Sequence, residues 1–251
     1  MFDVAARSYD RFMGRYSVLL SSQLADLAGI RAGQRALDVG CGPGALTTEL
    51  VARLGAAAVA AVDPSEPFVA AARARLPGVE VQQASAEDLP FVDGTFDATL
   101  AQLVVHFMAD PVAGIAAMAR VTRGGGVVAA CVWDHAGDRG PLAEFWQAVR
   151  ELDPGAHDES HLPGVREGHL PELFEAAGLR TVEAVTLTAD LEHPSFDAWW
   201  EPFTQGVGPA GAYVATLDAD EQVKLRERCH ELLPGPRIVI RAQAWAARGL
   251  A

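Results

Sequence analysis

The residues with the clearest chemical promise stand close together, in "ALDVGCGPGALTTEL" (36–50) and "AAVDPSEPF" (60–68). Glycines at 40 and 42 with an alanine at 45 have the spacing of a dinucleotide-binding turn. Such a turn lets a ligand approach the backbone, and the helix after it favours an anion at its N-terminus. Asp38, two residues before the first glycine, argues against a diphosphate there. Two like charges at ~4 Å repel by on the order of 1–4 kcal/mol, depending on the local dielectric. S-adenosylmethionine carries a sulfonium and an ammonium and no phosphate, so a nearby carboxylate favours it. Asp63 ends the next apolar run, where an acid accepts from ribose hydroxyls in either reading. Purely structural roles compete: Asp38 as an acceptor for the turn's own amides, and Asp63 or Ser65 as a helix cap. Both ligands, S-adenosylmethionine and NAD(P), stay open at this point.

These residues need a frame, and the chain supplies one. Short apolar runs at 35–40, 57–62, 79–83, 96–102 and 125–133 read as strands. Helical patterns at 45–55, 65–77 and 112–122 lie between them. Strands that are nearly all apolar and alternate with helices indicate a parallel sheet covered on both faces. In such a sheet ligands bind at the carboxyl ends of the strands, where the strand order reverses. Asp38, Gly40 to Gly44, Asp63, Ser85 to Glu87 and Gln102 all fall at or just after those ends. Beyond Trp133 the regularity loosens. Helices are expected over 139–152, 170–178 and 218–233, and strands over 181–190 and 237–247. The aromatic and glycine-bearing stretch 191–217 has no assigned element, and the long closing connection reads as cap insertions over the site.

The chain has 251 residues, half of them hydrophobic, which suffices for one α/β domain with additions. A formal charge of −13 repels phosphate backbones and disfavours a nucleic-acid partner. Cys41, Cys131 and Cys229 are far apart and odd in number, which fits a reduced, cytoplasmic protein better than a secreted one. The opening "MFDVAARSYDRFMGRY" lacks an apolar signal core. No apolar run approaches the roughly 18 residues of a membrane span.

Taken together, "ALDVGCGPG", "AAVDPSEPFVAAARARLP", "ASAEDLPFVDGTFDATLAQLVVHFMADP" and "GGGVVAACVWD" resemble the class I S-adenosylmethionine-dependent methyltransferases. The likeness is strongest to the branch with quinone C-methyltransferases and bacterial small-molecule methyltransferases, and it covers about residues 1 to 134. It implies a Rossmann-like, seven-stranded and mostly parallel α/β sheet with helices on both faces and an antiparallel last strand. The chain would then be one domain: an N-terminal helical cover (1–33), a cofactor-binding core (34–134), and substrate-cap elements with closing strands (135–251). The resemblance places Gly40, Cys41, Gly42 and Gly44 around the methionine part of the cofactor, and Asp63 on its ribose. Pro64 and Ser65 would follow the adenosine edge, Ala86 and Glu87 the adenine, and Gln102 the ammonium end. The family often carries Asp where this chain has Ser85, a shorter, uncharged acceptor for the adenine amino group. Either Glu87 compensates or the backbone suffices.

In "YDRFMGRYS" (9–17), which looks like the family's N-terminal helix, Tyr9, Met13 and Arg15 are cofactor candidates, with Arg15 reaching for the carboxylate. An amphipathic surface helix with Tyr9, Phe12 and Tyr16 packed inward is the alternative. The implied reaction is in-line transfer of the methyl group to a small-molecule O, N, C or S acceptor. His106 in "LVVHFMADP" is the candidate base, since it follows the fourth strand on the side to which the methyl should project. His135 stands second, and a metal site from His157, His161, His169, His193 and His230 is not expected, because no pair has compact helical ligand spacing within one strong motif. Trp199, Trp200 and Phe203 are the candidate substrate-lining aromatics, against a core role for most aromatics at helical spacing. Two rivals remain: an NAD(P)-dependent oxidoreductase, and a protein that binds S-adenosylmethionine without turnover.

Overall fold

The computed structural model describes residues 6–251, with side chains from Ser8 onward, so the first residues of the expected N-terminal cover lie outside the described part. Helix α1 spans residues 6–27 and contains a π-helical turn at Asp10–Gly14. Then come β1 (Ala36–Val39), α2 (Ala45–Leu54), β2 (Val59–Asp63), α3 (Glu66–Arg75), β3 (Glu80–Gln83) and β4 (Phe96–Gln102). The chain continues through α4 (Pro111–Val121), β5 (Thr122–Trp133), α5 (Ala143–Leu152), α6 (His169–Ala176) and β6 (Arg180–His193). It closes with α7 (Phe196–Trp200), α8 (Gly208–Thr216), α9 (Ala219–Leu232) and β7 (Ile238–Leu250).

The seven strands form one sheet in the order β3-β2-β1-β4-β5-β7-β6. Strands β1 to β5 run parallel, and β7 is antiparallel to both β5 and β6. The expected α/β architecture is therefore the observed one. It follows from burial: β1 and β2 are buried at every residue, as strands covered by helices on both faces must be. Edge strand β6 instead exposes most of its residues. Strand alternation divides the core in two. Ala36, Leu100, Cys131 and Trp133 face the α1, α2 and α5 side, whereas Leu37, Val39, Ala101 and Val132 face the α4 and α6 side.

Local signals set the helix ends. Asp110 caps α4 by accepting from the Ala113 amide, and Pro111 follows at the first turn. Asp218 and Glu221 form a reciprocal capping box at the start of α9. Helix α5 begins at Ala143, four residues later than expected, after a turn through Gly140 and Pro141. The unassigned stretch 191–217 folds as the end of β6, α7, a 3-10 segment (Glu201–Gln205) and α8. Among the described residues no helix is long and apolar enough to cross a membrane.

Candidate functional site

Strand order reverses between β1 and β4, and a cleft of about 670 Å³ opens at their carboxyl ends. That volume suits a nucleoside-sized ligand. The loop after β1 forms its floor. Gly40 (φ 71°) and Gly42 (φ 53°) both adopt left-handed backbone, which only glycine takes without strain. The Gly40 and Cys41 amides donate to the Val62 carbonyl, tying the loop to β2. Asp63, at the end of β2, accepts from the Gly42 amide with Oδ2 and from the Ser65 amide with Oδ1, each at 2.9 Å. Burial raises its pKa, and those two amide bonds oppose the rise.

Ten of the fifteen expected cofactor residues line this cleft: Tyr9, Gly40, Gly42, Asp63, Pro64, Ser65, Ser85, Ala86, Glu87 and Gln102. Gln102 donates from Nε2 to the Ser17 carbonyl of α1 at 3.0 Å, and its buried Oε1 has no partner. Glu87 is committed elsewhere than expected. Its Oε1 accepts from the Ala109 and Asp110 amides (2.9 and 3.3 Å), fastening the loop after β4 beside the cleft. The lining also contains Glu66, Phe68, Leu103, Val104, Phe107 and Met108, none of which the motifs singled out.

The other five cofactor candidates lie off the cleft wall. Asp38 is fully buried on the α2 face of β1, where Oδ2 accepts from Thr47 Oγ1 at 2.6 Å and Oδ1 has no partner. Burial pushes its carboxyl up to about 7; the Thr47 hydroxyl counteracts this, and nearby Asp63 adds to it. Cys41 packs against Ala61, Val69, Ala72 and Val81, and burial raises its thiol well above the ordinary value. Gly44 is the N-cap of α2, with Leu76 packed where a side chain would stand. Arg15 turns to β6, reaching His193 Nδ1 and the Glu192 carbonyl, each at 3.3 Å. Met13 borders a second, smaller cavity.

That second cavity, about 40 Å³, shares Tyr9, Leu103 and Phe107 with the cleft. His106 lines it and does not line the cleft. It sits in a 3-10 turn (Val105–Phe107) after β4, 4% exposed, with the Phe107 ring 3.9 Å away centre to centre. Burial, with His135 nearby, drives its pKa well below the ordinary value, so the imidazole is neutral. His135 and Glu159 line the same cavity, both buried, with His135 Nε2 3.8 Å from Glu159 Oε1. Glu159 Oε2 accepts from Trp146 Nε1 at 2.9 Å. Burial lowers His135 to about 4 and raises Glu159 to about 7. No sequence signal pointed to Glu159, which comes from a turn between α5 and α6 in the polar run "HDES".

Trp199, Trp200 and Phe203 line neither cavity. They belong to the core: Phe203 stacks on Phe145 at 4.5 Å and meets Phe12 edge-on at 5.0 Å, and Trp199 lies 4.8 Å from Phe203. Aromatics repeated on one side of a short helical segment are buried there as packing. The α8 start, Val207 to Ala210, covers the small cavity instead.

Comparison with known proteins agrees with this geometry. Residues 37–130 match the methyltransferase-domain family. A ubiquinone biosynthesis O-methyltransferase of Rhizobium etli is 35% identical over 173 residues, covering 66% of this chain and 67% of the relative. A Mycobacterium tuberculosis methyltransferase is 37% identical over 134 residues, 53% of each chain. Among solved structures, phosphoethanolamine N-methyltransferase 2 of Haemonchus contortus superposes with a TM-score of 0.60 at 15% identity, over 98% of this chain and 56% of that one. That last likeness concerns the fold alone. The chain belongs to the class I S-adenosylmethionine-dependent methyltransferases.

Proposed function

We propose that the large cleft holds S-adenosylmethionine and that the protein passes its methyl group to a small molecule bearing an ionisable O–H. One observation carries the cofactor reading. The cleft is lined by Asp63, Glu66 and Glu87, with no lysine or arginine among its described lining residues. A diphosphate there would meet carboxylates without a cationic partner, at a cost of on the order of 1–4 kcal/mol for each ~4 Å contact. A sulfonium nucleoside with an ammonium group meets a favourable field. The same observation weighs against NAD(P).

When bound, the cofactor supplies a methyl group on a sulfur that already leaves well, so the protein's work is alignment and exclusion of water. Asp63, fixed by two backbone amides, offers its remaining lone pairs to the ribose hydroxyls. Gln102 Oε1, buried and unpartnered, is the acceptor for the ammonium end. Ser85 and Ala86 flank the adenine, and Pro64 and Ser65 the adenosine edge. Tyr9, Leu103 and Phe107 form the boundary between cleft and small cavity. His106 lies beyond it as the catalytic candidate, a neutral imidazole whose unpartnered Nδ1 is available for a hydrogen bond. The oxygen acceptor is favoured by that imidazole and by the O-methylating activity in the Rhizobium relative's name.

Asp63→Ala tests the cofactor reading. Losing a charge-assisted pair of hydrogen bonds costs about 1.5–3 kcal/mol, a weakening of S-adenosylhomocysteine of roughly 10- to 100-fold by calorimetric titration. NAD binding to the wild type with no S-adenosylhomocysteine binding would overturn the reading. Screening phenols and other hydroxyl compounds with methyl-labelled cofactor identifies the acceptor. His106→Ala should then cut turnover while leaving S-adenosylhomocysteine affinity in place.

A further inference from the structure

The small cavity contains an arrangement that methyl transfer alone does not explain. One nitrogen each from His106 and His135 and one carboxylate oxygen of Glu159 lie within 4.8 Å of one another, and all three residues are buried. Buried polar groups are almost always hydrogen-bonded, and these do not satisfy one another. The His135 Nε2 to Glu159 Oε1 separation of 3.8 Å is too long for a hydrogen bond. His106 Nδ1 is buried without a partner. Trp146 occupies Glu159 Oε2 and leaves Oε1 as the oxygen facing His135.

We propose that His106, His135 and Glu159 form a binding site for one first-row transition-metal dication, such as Zn²⁺, beside the cofactor cleft. The donor set is two imidazoles and a carboxylate, which suits zinc or iron and not the all-oxygen preference of magnesium or calcium. Bonds of about 2.0–2.2 Å put neighbouring ligand atoms roughly 3.3 Å apart, so the site needs a contraction of under about 1.5 Å at its widest pair. Trp146 acts behind the ligand as the group that fixes the carboxylate, as outer hydrogen bonds commonly do at metal sites. A cavity of about 40 Å³ has room for an ion and a water or two, and none for a whole aromatic acceptor. Its remaining wall is mostly apolar, with Phe12, Leu142 and Val207 among the lining residues and no further carboxylate or imidazole beside the three ligands. The proposal rests on placing His106 on the acceptor side, and it makes that imidazole a ligand, so that the cation and not a free base orients the acceptor oxygen.

The test is metal binding by the whole chain, stripped with a chelator and titrated with Zn²⁺ and Co²⁺. One equivalent should bind, unaffected by millimolar Mg²⁺, and Co²⁺ should give a visible ligand-field spectrum. His135→Ala and Glu159→Gln should each weaken Zn²⁺ at least 10-fold, whereas exposed His157→Ala should not. Glutamine keeps an acceptor for Trp146, and a thermal melt confirms folding. If either variant fails to fold, anomalous scattering from a Zn²⁺-soaked wild-type crystal decides. A peak between the three side chains supports the site, and a peak elsewhere or none overturns it. Absence of stoichiometric Zn²⁺, or unchanged affinity in both folded variants, also overturns it, and leaves a hydrated polar cluster. Titrating S-adenosylhomocysteine on the same preparation separates a failed metal site from a failed cofactor site.

Discussion

Asp38→Asn should change how stability depends on pH. The Asp38 carboxyl has no exposure, one hydrogen bond from Thr47, one orphaned oxygen and Asp63 as a neighbour. Its pKa rises from 3.8 to about 7, chiefly through burial. Between those values the folded chain holds a proton that the unfolded chain has released. Stability from this group is therefore full below about pH 4, falls as pH rises, and is gone above about pH 7. The whole effect is on the order of 4 kcal/mol, and most of it, about 3 kcal/mol, is lost between pH 5 and pH 8. Asparagine has nothing to titrate. Other buried acids, Glu159 and Glu144 among them, contribute equally to both proteins and cancel in the difference. Urea unfolding of the ligand-free proteins at fixed ionic strength measures it. Relative to wild type, the variant should gain on the order of 3 kcal/mol from pH 5 to pH 8. Parallel stability curves would refute the reasoning, and would mean that the carboxylate is solvated or charge-paired.

Two further substitutions separate cofactor residues from framework. Arg15→Ala should leave S-adenosylhomocysteine affinity within about twofold by calorimetry, because the guanidinium contacts His193 and Glu192 on β6 and not the cleft; a tenfold loss would return Arg15 to the cofactor. Phe203→Ala should cost about 3–5 kcal/mol in urea unfolding, with cofactor affinity kept in the folded fraction, since the ring is 1% exposed and stacked on Phe145. Full stability with lost acceptor turnover would make Phe203 a pocket residue after all.

The parts of the fold that were legible are those where local pattern and tertiary environment agree. Strands β1, β2 and β4 are apolar because both faces are buried, and their ends carry the polar residues that border the cleft. Direction was harder to read than position. Asp38 is a conspicuous acid near the turn, yet strand alternation sends its side chain to Thr47 on α2. Arg15 comes six residues after Tyr9, across the π-helical turn, and its side chain leaves toward β6 and not toward the cleft. Met13 comes four after Tyr9, and both border the small cavity. Glu159 left no trace in the sequence, because only the packing of α5 against the loop before α6 brings it to His135. The aromatic stretch 196–203 misled because a pocket wall and a core layer use the same residue types at the same spacing.

The glycine turn borders the cleft, yet its two lining glycines are needed for different reasons. Its glycines are expected to make room for a ligand, but a side chain at Gly40 would meet Val104 at 2.4 Å, and that space belongs to the protein. Gly40 thus lets the loop after β1 press against the segment after β4. Gly42 differs: nothing stands within 4 Å of where its side chain would be, and its amide is held by Asp63. Val104 follows Leu103, whose φ of 62° is a left-handed conformation costing roughly 1–2 kcal/mol for a branched side chain. Leu103 is pinned there by the hydrogen bond its amide donates to the Cys131 carbonyl at 2.8 Å. Sheet pairing of β4 ends at Gln102, opposite Cys131, and the Leu103 amide makes the last bond of that ladder. The left-handed conformation turns the chain sharply enough for Leu103 to border both cavities, for Val104 to fill the space left by Gly40, and for His106 to face the smaller cavity. Backbone strain of this kind clusters at ligand and switch sites in many proteins, and here it sits between the large cleft and the buried histidines.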